Sequence, residues 1–134
     1  MGVKADVLRE GRIVVQTYTD PLDMKDIIAQ HKWIVEHVLD PATKPVHTII
    51  DMLNVHRLPS NMIGHGSQTL KTVHPMGGQI VVVTNNNFLN TMADVFKRVV
   101  RNYKVNIFKT MDEAWQYYDR VLAEEDKELL KSHR

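Results

Sequence analysis

Val46-His47-Thr48-Ile49-Ile50-Asp51-Met52-Leu53 is the stretch that decides how the rest of this chain is read. It is a compact run of β-branched and large aliphatic side chains behind a proline-containing turn, which suits a strand buried on both faces. A second run of the same kind, Gln79 to Thr84, contains Ile80-Val81-Val82-Val83. Between them Ile63, Gly66, Leu70 and Val73 recur at helical spacing, so a strand, a helix and a strand follow in succession. That succession implies parallel strands joined by a right-handed crossover.

The same reading extends outward in both directions. Val7-Leu8 and Ile13 to Tyr18 flank Glu10-Gly11-Arg12 as a hairpin. Asp20-Pro21 offers an N-cap and a proline at the first helical position, and Asp23 adds a carboxylate that the helix dipole favours. The stripe Met24, Ile27, Ile28, His31, Ile34, Val35 and Val38 predicts a helix over 21–39, ending before Pro41. Ser60, after Pro59, can cap the second helix, where a glycine at 66 would let helix and sheet approach closely. Asn85-Asn86-Asn87 caps a third helix whose apolar side is Phe88, Met92, Val95, Phe96, Val99 and Val100. Val105 to Phe108 is a short last strand. Thr110-Met111-Asp112-Glu113 is a capping box opening a fourth helix through Ala114, Trp115, Tyr118, Val121 and Leu122, and the charged tail after Ala123 is expected to fray.

The order ββαβαβαβα fits one α/β domain over residues 1–134, with its core at about 11–122 and a charged helical tail at 123–134. The sheet is expected to be mixed, an antiparallel opening hairpin followed by βαβαβα units, with about four helices packed on it. Composition agrees: 134 residues is the size of one domain, and 43% hydrophobic with 25% charged residues is that of a soluble globular protein. Seventeen basic residues against sixteen acidic ones leave no global field to hold the chain on nucleic acid or an anionic membrane. The absence of cysteine excludes a disulfide scaffold, a thiolate metal site and a cysteine nucleophile. No apolar segment has the length of a signal peptide or a membrane span, so a cytoplasmic location is expected.

The element order from about Gly11 to Leu122 resembles the STAS family, regulatory domains typified by anti-sigma-factor antagonists. The local likeness lies in Ile49-Ile50-Asp51-Met52-Leu53-Asn54-Val55 followed by Leu58-Pro59-Ser60-Asn61-Met62. In that family a strand ending in aspartate leads through a short loop to an Asp-Ser pair at the next helix start, and the serine is a phosphorylation switch. The resemblance implies that Asp51 matches the strand-end aspartate and Ser60 the switch serine, while Pro59 stands where the family has aspartate and no glycine stands at Met62. It also implies a non-enzymatic regulatory module of bacterial type without a cofactor. Its protein partner, a kinase-like or anti-sigma regulator, would be taken through residues 54–63, with Asn54, Arg57, Ser60 and Asn61 at the contact. Divergent members of the same architecture resemble lipid-binding or small-ligand domains, which gives the alternative of a small apolar ligand held between sheet and helices.

Each candidate residue also has a plainer role. A phosphate on Ser60 would meet free N–H groups at a helix start beside Arg57, yet an N-cap needs only the serine itself. Asp51 could hold a ligand beyond the strand end, or simply accept loop N–H groups around Asn54 and Val55. Pairing Asp51 with His56 as acid and base lacks a nucleophile beside them. His47, His56, His65 and His74 recur every nine residues, but they belong to opposite sheet ends and are expected as unrelated surface or edge histidines. Gly64-His65-Gly66-Ser67 is neither a Walker loop nor a dinucleotide fingerprint. Lys97, Arg98, Arg101, Lys104 and Lys109 read as a solvated face without stacking aromatics, so no nucleic acid is expected. Trp33, Met62 and Phe88, if exposed, would suit self-association as a homodimer.

Overall fold

A computed structural model describes residues 2–69 and 73–132. Five strands form one sheet in chain order: β1 (Val3–Leu8), β2 (Ile13–Thr19), β3 (Val46–Asn54), β4 (Gly77–Val83) and β5 (Val105–Phe108). β1 runs antiparallel to β2, with Val3 opposite Tyr18 and Leu8 opposite Ile13, and the remaining neighbours are parallel. Among the described residues there are four helices: α1 (Met24–Ile34, extended by a π-helical turn Val35–Leu39), α2 (Met62–Thr69), α3 (Asn87–Val99) and α4 (Met111–Ser132). The fold is the mixed-sheet α/β class of STAS-like topology that the element order implies.

Because strand order follows chain order, right-handed crossovers carry α1, α2 and α3 across the same face of the sheet. α4 follows the last strand and covers the other face. Side chains alternate to match. Ile13, Val15, Ile49, Val81 and Val83 pack on Ala114, Tyr118 and Leu122 of α4. From the opposite face Val14 and Val46 meet Ile34 and Val38, while Tyr18, Met52, Ile80 and Val82 meet Leu89 and Ala93 of α3.

Several boundaries differ from the sequence reading. Asp23, not Asp20, caps α1, its Oδ1 accepting the Lys25 N–H at 2.8 Å. Asp20 serves the loop after β3 instead, and the Asp20–Pro21 peptide is cis. α2 begins at Met62 and is described to Thr69; Leu70 lies outside the described residues, and Val73 is 45% exposed, so the apolar stripe does not extend to it. An alanine Cβ at position 66 would meet the Phe96 ring of α3 at 3.2 Å, so the close approach there is to α3 rather than to the sheet. Asn86 caps α3 by accepting the Leu89 N–H at 3.1 Å.

The charged tail is helical as far as Ser132. α4 runs unbroken to Ser132 because its acidic end is tied to the sheet: Glu125 and Asp126 each lie 2.8 Å from the Arg12 guanidinium. His47 completes that tie. Expected as an edge histidine, it is 2% exposed, and its Nδ1 accepts the Gln79 N–H at 2.8 Å. A backbone N–H can only donate, so the ring proton sits on Nε2, which lies 2.5 Å from Glu125 Oε1. Gly78 makes room for the ring, since a Cβ there would fall 2.3 Å from His47 Nδ1.

Candidate functional site

The face under α1, α2 and α3 is hollow. A cavity of about 470 Å³ lies between those helices and β2, β3 and β4, within the range of about 300–1,000 Å³ typical of small-molecule sites. α2 reads Met62-Ile63-Gly64-His65-Gly66-Ser67-Gln68-Thr69; Gly66 lines the cavity beside the Phe96 ring of α3, while Gly64 is exposed, and α3 presses Leu89, Met92, Ala93 and Phe96 against the cavity from the other side. The floor is Ile50, Met52, Ile80 and Val82, and Ile27 and Ile28 close one side.

Polar groups are few. From β2, Gln16 Oε1 accepts both the Tyr18 hydroxyl at 3.2 Å and the Gln30 amide at 2.9 Å. Burial pushes the Tyr18 phenol up to about 12, so it stays a neutral donor. His31 of α1 also lines the cavity. Its imidazole is held below the usual histidine range, first by burial and then by the charge of His65, which lines the cavity from α2. Tyr103, ahead of β5, adds a hydroxyl that accepts the His74 N–H at 3.1 Å.

The segment singled out for partner binding borders this cavity. Leu58, Met62 and Ile63 line it, while Asn54, Arg57, Ser60 and Asn61 are exposed. Asn61 adopts φ 65°, a left-handed conformation that asparagine tolerates, and its carbonyl accepts the His65 N–H at 2.8 Å to open α2. The helix therefore starts after Asn61. Ser60 sits one residue further back, in the turn, and its hydroxyl makes no capping bond among the described residues. The N-cap role read for Ser60 is thus corrected: the turn through Asn61 supplies the start that a serine cap would have supplied.

Asp51 is not at that exposed surface. It is half-buried within β3, opposite Val83, and its Oδ1 accepts the Leu53 N–H at 3.0 Å rather than loop groups at Asn54 and Val55. Nor does it meet His56. Asp20 Oδ2 takes both the His56 N–H at 2.9 Å and the His56 Nδ1 at 2.8 Å, which fixes the path of the chain leaving β3. The Asp20 carboxyl is held below its usual range, first by the His56 side chain and further by the backbone N–H groups of His56 and Arg57. A carboxyl more acidic folded than unfolded contributes its contact above about pH 4, and that contribution is lost as pH falls through the lowered value. Replacing Asp20 by Asn is expected to speed amide exchange at His56 and Arg57 several-fold at neutral pH, with wild type matching it only in acid. Unchanged exchange in the variant would contradict this role for Asp20.

The nine-residue histidine series has no common centre. His56 belongs to Asp20, His74 lies 2.8 Å from Asp40 and His47 is held by Glu125, so three of the four serve separate carboxylates. Among the described residues no group of three or more His, Asp or Glu is placed to hold a metal ion, and no helix is long and apolar enough to cross a membrane. Of the apolar residues expected at the surface, Trp33 is 44% exposed and stacked on His37, Phe88 is 59% exposed, and Met62 turns to the cavity.

The sequence reading carried, as its alternative, a small apolar ligand held between sheet and helices. It missed Gln16 and Tyr18 on β2 and the placing of His31 and His65 on one cavity, for which the only sequence signal was His31 on an otherwise apolar stripe. No family model matches this chain, and no curated protein matches it. Among solved structures, the NMR structure of the protein TM1081 is similar, with a TM-score of 0.60 over 84% of this chain and 84% of that one, at 18% identity. At that identity the likeness speaks for the fold.

Proposed function

We propose that this chain is a non-enzymatic regulatory module of STAS-like type that takes a small apolar molecule into the cavity and presents the outcome to a protein partner along residues 54–63. One observation carries the reading: the segment that walls the cavity through Leu58, Met62 and Ile63 is the segment that exposes Arg57, Ser60 and Asn61. A ligand shifts a protein between states only through contacts that differ between them, and these three wall residues supply such contacts. Phosphorylation of Ser60 fits as a second input, because it would place about two negative charges on the same surface beside Arg57. The general regulatory role draws support from the STAS-like fold, and the ligand from the cavity.

The test is a native and then a denaturing mass spectrum of the protein purified from its own source, followed by amide exchange with and without the retained compound. A non-covalent mass lost on denaturation, with protection gained over residues 55–63, is the expected result. A bare chain that gains no protection with any apolar compound would refute the ligand reading. A phosphate mapped to Ser60 would support the switch, and a cognate kinase that never modifies Ser60 would remove it.

A further inference from the structure

The geometry points to an anionic head group on the cavity's ligand: we infer a long-chain monocarboxylate whose tail lies on Ile50, Val82 and Ala93 and whose carboxylate sits between His31 and His65. This rests on reading the cavity as a ligand site. The lining is apolar over most of its area, as an alkyl chain requires, and its ionisable groups are all bases or phenols. α1 supplies His31 and Lys32, α2 supplies His65, β2 supplies Tyr18, and Tyr103 comes from the segment before β5. Neither aspartate nor glutamate lines it.

The acid paired with a lining base is held only weakly. Glu36 approaches Lys32 at 3.9 Å, but both side chains are largely exposed, so water screens the pair and Lys32 stays available to an anion. Tyr18 keeps its proton and is engaged with Gln16, and Tyr103 is engaged with His74. That leaves two imidazoles, one from α1 and one from α2, and burial together with the charge of His65 disfavours charge on His31. A carboxylate between them reverses this, because an opposite charge at hydrogen-bonding distance favours the imidazolium. Binding then takes up a proton and tightens as pH falls toward 6. An ammonium head would meet three bases and no acid, and a hydroxyl head would gain no charge-assisted bond.

The experiment uses the full chain and three probes with one tail: dodecanoate, dodecanol and dodecyltrimethylammonium, each displacing an apolar fluorescent dye at pH 8 and at pH 6. Dodecanoate is expected to bind at least about tenfold more tightly than dodecanol, the gain typical of a hydrogen bond to a charged group. The gap should widen at pH 6, and the ammonium should bind most weakly. Shortening the carboxylate from twelve carbons to ten should cost about fourfold per methylene, as for any buried chain. In the double variant His31→Asn, His65→Asn the advantage of dodecanoate should disappear while dodecanol still binds, which also shows that the variant is folded. Equal binding of dodecanoate and dodecanol by the wild type would overturn the head-group assignment and leave the cavity reading intact. Failure of all three probes to bind would overturn both.

Discussion

Replacing Tyr118 by Ala is expected to lower stability by about 3–5 kcal/mol, the usual cost of emptying a large buried aromatic site. Tyr118 is the largest side chain with no exposure, 0% accessible at the centre of the α4 face. Its hydroxyl reaches the Thr48 carbonyl at 2.7 Å and the Gln79 carbonyl at 3.0 Å, one on β3 and one from β4. Burial pushes its phenol well above the usual range, so it stays a neutral donor at neutral pH. Tyr118→Phe keeps the ring and loses that donor, for an expected cost of about 1–2 kcal/mol. Val82→Ala makes an informative contrast. Val82 is 4% exposed, but it faces a space already incompletely filled, so its truncation enlarges a void rather than opening one. Urea midpoints of the three variants check the order; a Tyr118→Ala cost below that of Val82→Ala would contradict the division into a closed face and a hollow one.

That division explains how a ligand could act on this fold without unmaking it. The α4 face holds its own packing and its own polar bonds, so it sets the stability of the sheet. The other face carries the cavity, the glycine-bearing α2 and the segment from Val55 to Asn61, whose conformation rests on Asp20 and on one left-handed residue. Local opening draws on regions with few buried contacts, and α2 contributes few. Amide exchange on the unliganded protein should therefore be fastest across 55–69 and slowest in β3 and β4.

The strands were legible because each is a short apolar run between turn residues, and the pattern recurs three times after the hairpin. The start of α1 was not. Asp20 and Asp23 are both competent caps, and the choice between them is made by His56, 36 residues away. Local propensity cannot see such a partner. The cavity was only half legible for a related reason: an apolar face in the sequence does not say whether its partner fills the space opposite. Of the α2 glycines only Gly66 lines that space, and in the sequence both read more naturally as weakness in a helix. Ser60 was misplaced by the rule that makes serine a good cap, since the turn through Asn61 opens the helix instead.

The end of α4 shows the same blindness to distant partners, and it carries the second large effect. Residues 124–128 read Glu-Glu-Asp-Lys-Glu, with no apolar stripe to bury, which predicts fraying. Glu125 nevertheless joins Arg12, 113 residues away, and His47, 78 residues away, through its two carboxylate oxygens. The Arg12 side chain is 12% exposed and that of His47 is 3% exposed, so neither can exchange this acceptor freely for water. Breaking a buried pair costs more than the pair itself contributes, because the remaining charge keeps its desolvation penalty. Asp126 still holds the second nitrogen of Arg12 in a Glu125→Leu variant, which softens the loss. The expected cost is about 2–3 kcal/mol, and helix content beyond Leu122 should fall with it. Glu125→Gln should cost about half as much, since its amide oxygen can still accept from His47 or Arg12. Denaturation midpoints together with amide exchange along 123–132 decide the matter: a Glu125→Leu protein with wild-type stability and a fully protected end of α4 would mean that the helix is held by its own propensity, not by the sheet beneath it.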